Sequence, residues 1–166
     1  MRIITLLIVL ITVQNAIAQS SGAARIDFDD LIMYEFKVLN IPGAERARYM
    51  DKLITGMENV YFCNITYQDA SGIILCDPAY DINEANTKLG EFSYSIVGSV
   101  KSPFDEEVFY NAYINIKNFG QKKSLKDKPE HARTGYALKD QLCFDKAMDI
   151  WRKNNPDVTQ QKNSVK

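Results

Sequence analysis

Three cysteines, Cys63, Cys76 and Cys143, and one histidine, His131, are the side chains here that could carry nucleophilic or metal chemistry. A cysteine or serine nucleophile needs a base within hydrogen-bond reach, and His131 is the sole histidine available for that task. It sits between Glu130 and Arg133 in QKKSLKDKPEHAR (121–133), a polar, basic stretch that reads as a solvated loop. The spacings that bind zinc, H-x-x-x-H and C-x-x-C, do not occur. Neither do the phosphate-cradling G-x-x-x-x-G-K-[ST], the dinucleotide G-x-G-x-x-G or an EF-hand loop. Carboxylates pair at Asp29-Asp30 and Glu106-Glu107, but neighbouring helical residues do not point at one site. Both pairs suit the first turn of a helix, where negative charge favours the dipole. The residues therefore assign no catalytic group, no metal and no cofactor, and point to a non-enzymatic protein.

The elements that would position these groups begin with MRIITLLIVLITVQNAIAQS. Arg2, an apolar run over 3–13 and Ala16-Ile17-Ala18 read as a secretory signal peptide, residues 1–18. No other apolar run approaches the roughly 20 residues needed to cross a bilayer, so the mature chain is expected to be exported and soluble. Export permits disulfides. The reading prefers a Cys63–Cys76 bridge, which by loop entropy would contribute roughly 3 kcal/mol. Cys76–Cys143 and three buried free thiols are the alternatives.

Apolar spacing predicts helices. One runs from Asp27, as N-cap, to about Leu39, and a second spans about 44–62 with Ala47, Met50, Ile54 and Met57 on one stripe. Residues 63–79 lack the helical period, with Ile73-Ile74-Leu75 as a short extended piece. A third helix is capped by Asp81 and Glu84 and carries Ile82, Ala85, Leu89, Phe92, Ile96 and Val100. A fourth opens at Ser102-Pro103 and stops at Gly120, and a fifth covers about 135–153. The expected fold is a small all-α, single-domain bundle of about five helices with one turn-rich, disulfide-stapled loop. Its parts are the signal peptide, a flexible leader (19–26), a helical domain (27–156) and a disordered tail (157–166).

Charge is divided unevenly. Residues 19–120 hold 8 Lys/Arg and 15 Asp/Glu, whereas 121–166 hold 11 and 6. An acidic body suits a partner with a basic surface and argues against nucleic acid. Nine tyrosines and eight phenylalanines are many for this length. Tyr80, Tyr94 and Tyr110 fall off the stripes, which leaves either exposed interface tyrosines or wider stripes. Asn64-Ile65-Thr66 matches a glycosylation sequon.

Three features occur in order: Y-M-x-x-L-I-x-G-M-x-x-V (Tyr49 to Val60), C-x-P (Cys76, Pro78), and a helix opening S-P-F-D-E (102–106). In this order the chain resembles, over about residues 28–119, the periplasmic immunity-protein superfamily that protects bacteria against type VI secretion peptidoglycan amidases. The resemblance implies a small all-α protein in the periplasm that blocks a cell-wall hydrolase and has no catalysis of its own. Members often carry a cysteine near the end of the fourth-helix region; here that stretch reads Asn118-Phe119-Gly120. The expected contact patch is Asp77, Tyr80, Asp81 and Glu84, facing a basic partner protein, with a homodimer also compatible. An exported carrier of a small apolar ligand is the second reading and requires an apolar cavity among the second, third and fourth helices. An extracellular location is the alternative to the periplasm.

Overall fold

The computed structural model describes residues 26–116 and 123–156. The signal peptide, all of the leader but Ile26, the expected stop at Gly120 and the tail 157–166 lie outside the described residues. The architecture is not all-α. Among the described residues a four-stranded antiparallel sheet forms the centre, with four helices packed on it.

A single 3-10 turn, Phe28–Asp30, is capped by Asp27, whose Oδ1 accepts the Asp29 N–H at 3.0 Å. Strand β1, Ile32–Leu39, follows where a helix was expected. Its run Tyr34-Glu35-Phe36-Lys37-Val38 alternates buried and exposed, the period of a strand. Asn40, at φ 69°, ends it. Helix α1, Ala44–Thr55, is shorter than predicted because the chain leaves through Gly56 and Asn59 (φ 61°) into strand β2, Val60–Thr66. A turn through Ala70 (φ 46°) returns strand β3, Ser71–Cys76, beside it.

Helix α2, Ile82–Gly90, has the predicted cap: Asp81 Oδ1 accepts the Asn83 N–H at 3.0 Å. It stops at Gly90, and Ser93, at φ 65°, turns the chain into strand β4, Ser95–Pro103. Ser102-Pro103 therefore finishes a strand. Asp105 caps helix α3, Glu106–Asn115, accepting the Glu107 and Val108 N–H groups at 2.9 Å each. Helix α4, Ala137–Asn154, agrees with the predicted fifth helix to within two residues.

The strand order is β2-β3-β1-β4, every neighbouring pair antiparallel. The units β1-α1-β2 and β3-α2-β4 interleave, which is the split-βαβ arrangement of ferredoxin-like topologies. Helices α1 and α2 cover one face, with Met50, Ile54, Ala85 and Leu89 packed on Phe36, Val38, Cys63, Ile65 and Ile74. A bulge at Val60/Phe62 sends Val60 to this face while Phe62 points to the other. At Gly72, opposite Phe36, an added Cβ would lie 2.5 Å from the phenyl ring, so glycine is what lets the ring lie across the strand.

The C-terminal helices α3 and α4 cover part of the second face. Phe28, Phe62, Phe104, Phe109 and Tyr113 meet there with ring centroids 5.5 to 6.0 Å apart. Lys146 lies over Phe104, 5.1 Å from its centroid, and bonds Glu106 at 3.0 Å. Glu106 also takes Lys153 at 2.8 Å, and these two cations hold its carboxyl below the usual range. The Glu106-Glu107 pair thus ties α3 to α4 through its first member.

Candidate functional site

The helices on the second face stop short of one end of the sheet and leave a cleft of about 570 Å³. Its floor is one side of β1, β2, β3 and β4: Glu35, Lys37, Asn64, Thr66, Ile73 and Val100. Its wall is α3, with Asn111, Ala112 and Asn115. The polar heads are anchored from within the protein. Asn64 Nδ2 donates to the Ala112 carbonyl at 3.0 Å, Lys37 Nζ to the Asp69 carbonyl at 3.2 Å, and Thr66 Oγ1 shares a 2.8 Å bond with Ser71 Oγ.

Strand β4 borders this cleft and is an edge: β1 pairs with one side of it and no described strand with the other. A bulge interrupts its pairing. Glu35 faces Val100 and Lys37 faces Val97, so β4 carries one residue more than β1 there, with Gly98 left-handed at φ 61°. Val97, Val100 and Leu39 lie on the cleft side of the sheet, 40, 62 and 47 % exposed. The result is an apolar strip along a free strand edge beside a concave, polar-rimmed floor. On the opposite side of β4, Lys101 Nζ donates to the Pro78 carbonyl at 3.1 Å. That bond joins the far end of the edge to the acidic corner at 77–84.

The corner holds the four residues expected to contact a partner. Asp77, Asp81 and Glu84 stay at the surface, but Asp77 Oδ1 accepts the Ala79 N–H at 2.9 Å and Asp81 caps α2. Tyr80 does not join them. It is 3 % exposed, its hydroxyl faces Met57 Sδ at 3.6 Å, and its carbonyl accepts the Tyr34 hydroxyl at 3.3 Å. Tyr110 is also buried and Tyr94 half-buried, so the wider-stripe alternative describes these tyrosines better than an exposed one.

The disulfide is corrected: all three cysteines are free and buried. Cys63 pairs with Ile74 across the hairpin, two residues from Cys76. Two strand rises and one interstrand gap put their Cα atoms about 8 Å apart, beyond the roughly 7 Å a disulfide spans. Cys143 packs on the second face and Cys76 on the first, so the sheet separates that pair. Burial pushes the Cys76 and Cys143 thiols up to about 12 and that of Cys63 well above the ordinary range. A thiol so disfavoured as thiolate is a poor nucleophile.

His131 packs its ring on Phe144, centroids 4.9 Å apart, with Nε2 3.4 Å from Gln141 Oε1. Asn64 of the sequon is 6 % exposed, out of reach of a glycosylating enzyme in the folded chain. Among the described residues no three His, Cys, Asp or Glu side chains cluster as metal ligands, and no helix is long and apolar enough to cross a membrane.

Sequence reasoning missed a second cluster. Asp51, on the buried side of α1 and 4 % exposed, accepts the Ile65 N–H at 2.6 Å and lies 4.0 Å from Cys63 Sγ. Because β2 is an edge strand, Ile65 has no ladder partner on that side, and the carboxylate replaces one. Desolvation raises the Asp51 pKa well above the ordinary carboxylate range, against the lowering pull of the Ile65 N–H and Arg48. A charged residue between Met50 and Leu53, inside an apolar stripe, was the signal available. Comparison with protein-family models, curated proteins and solved structures returns no match for this chain.

Proposed function

We propose that this chain is an exported, non-catalytic protein-binding module that takes up an extended segment of its partner along the β4 edge. The observation that carries the reading is the nine-residue β4, with no described strand on one side and only its Ile96 N–H engaged there, by Asn86 Oδ1 at 2.8 Å, and with Val97, Val100 and Leu39 exposed on its cleft side. A free edge supplies main-chain hydrogen bonds to an added strand, and pockets beside it select alternate side chains. The Gly98 bulge, Lys101 and Pro103 restrict indiscriminate pairing along the same edge. The occupant is an extended segment with apolar residues at every second position and basic residues where it passes Asp77, Asp81 and Glu84. A basic cell-wall hydrolase in the periplasm is a partner class with that charge.

The resemblance to amidase-immunity proteins implies an all-α fold, and the four-stranded sheet is a different architecture. Inhibition of an amidase is therefore proposed on surface chemistry alone. The carrier alternative asks for an apolar cavity among the helices. The α1 and α2 interfaces with the sheet are instead filled by Met50, Ile54, Ile74 and Leu89, each fully buried.

The test is selection of displayed random peptides on the immobilised mature chain, followed by binding to Val97→Glu and Val100→Glu. Sequences with period-two apolar residues and a basic flank, bound about tenfold or more weakly by the variants, support the reading. Peptides without that pattern, or bound equally by the variants, overturn it.

A further inference from the structure

A second cavity, about 190 Å³, opens between α1 and the segment 132–134. Arg48 and Lys52 line it from successive turns of α1, and Arg133 lines it from the facing segment. We infer that this cavity binds a small tetrahedral oxyanion, a phosphate-sized group held by Arg48, Lys52 and Arg133. Of the residues that line it, three are cationic and one, Asp51, is acidic.

The segment carrying Arg133 is held on both sides. The Ala132 N–H donates to the Tyr113 hydroxyl at 3.1 Å. The Thr134 N–H and hydroxyl donate to Asp140 at 2.9 and 2.6 Å, and the Gly135 N–H at 3.3 Å. Asp140 is occupied by these donors. Next to it, Lys139 Nζ donates to the Thr55 and Met57 carbonyls at 2.7 and 2.8 Å, which fastens α4 to the end of α1. The distance between the two cationic walls is thereby set before any ligand arrives, which lowers the ordering cost of binding.

Asp51 would oppose an anion if charged. Its Oδ1 is engaged by the Ile65 N–H, and burial drives it toward the neutral acid, as burial does for the Cys63 thiol beside it. Arg48 draws it the other way. The cations therefore dominate the cavity. Guanidinium groups present a planar fork matched to oxyanions, and a lysine adds a point charge.

The experiment titrates inorganic phosphate into the full mature chain at constant ionic strength, read by amide chemical shifts and calorimetry. Saturable shifts at Arg48, Lys52 and Arg133 are expected. Losing one charge-assisted bond in Lys52→Gln or Arg133→Gln should weaken phosphate about tenfold, with unchanged thermal midpoints. Sulfate should compete and acetate should not; the reverse would make the site one for carboxylates and overturn the tetrahedral assignment. Non-saturable shifts, or an equal loss in Lys126→Gln, an exposed lysine that does not line the cavity, would reduce the effect to net charge and overturn the site.

Discussion

Replacing Asp51 separates its two roles, hydrogen-bond acceptor and buried acid. Asp51→Asn keeps an oxygen for the Ile65 N–H, now 2.6 Å from Oδ1, and removes the ionisation. Asp51→Ala removes both and leaves a buried N–H without its partner, a cost of about 1–3 kcal/mol. The pH dependence follows from the raised folded-state pKa. Between the unfolded pKa, about 3.9, and the folded one, the native state holds more protons than the unfolded state. The contribution of Asp51 to stability should therefore fall as pH rises through that window, by up to about 1.4 kcal/mol per pH unit, and level off above the folded pKa. Below the unfolded pKa the group contributes no slope. Subtracting urea-unfolding free energies of Asp51→Asn from wild type, at pH steps from acid to neutral, isolates Asp51 from other groups. The difference should move in favour of Asn as pH rises, and Asp51→Ala should be the least stable of the three in acid. A flat difference across the series, or an alanine variant as stable as asparagine, would refute the reasoning.

Phe109→Ala should cost about 3–5 kcal/mol in urea unfolding, because the ring is fully buried against Phe28, Phe62, Phe104 and Tyr113. Gly72→Ala places a methyl 2.5 Å from the Phe36 ring and should lower stability by about 1–3 kcal/mol, read as a lower thermal midpoint. The three free thiols should react with a thiol reagent only after denaturation, without prior reductant, and reductant should leave the thermal midpoint unchanged; a mass 2 Da short of the fully reduced chain, as one disulfide gives, would contradict this.

The Asp81 cap was legible because a cap is local, whereas Ser102, read as the next cap, ends β4 and Asp105 caps α3 instead. Asp81 with its acceptor bond and the α4 span both follow from residues within a turn of one another. The sheet was missed because the 3–4 spacing of Phe28, Leu31, Ile32 and Phe36 competes with the alternation Tyr34 to Val38, and the alternation won. The same held after Leu89: Phe92, Ile96 and Val100 continue a helical spacing, yet Gly90 and the positive φ of Ser93 break the helix and Gly98 enters a bulge. Neither cleft was visible. The first is assembled from β1, β2, β3, β4 and α3, and the second brings Arg133 against α1, 81 residues from Lys52 in sequence. Such placements depend on strand register and long-range packing, which residue spacing does not encode. Cys63 and Cys76 mislead for the same reason: nearness in sequence says nothing of their offset across the hairpin.

Amide hydrogen exchange of β4, with and without a saturating selected peptide, tests the binding account most directly. Ile96 already donates its N–H to Asn86 Oδ1 at 2.8 Å; the other outward-facing amides between Val97 and Ser102 should exchange quickly in the free protein and slow by at least about tenfold in the complex, as new strand hydrogen bonds form. Unchanged exchange along β4 at saturation, with protection elsewhere, would contradict strand addition at this edge.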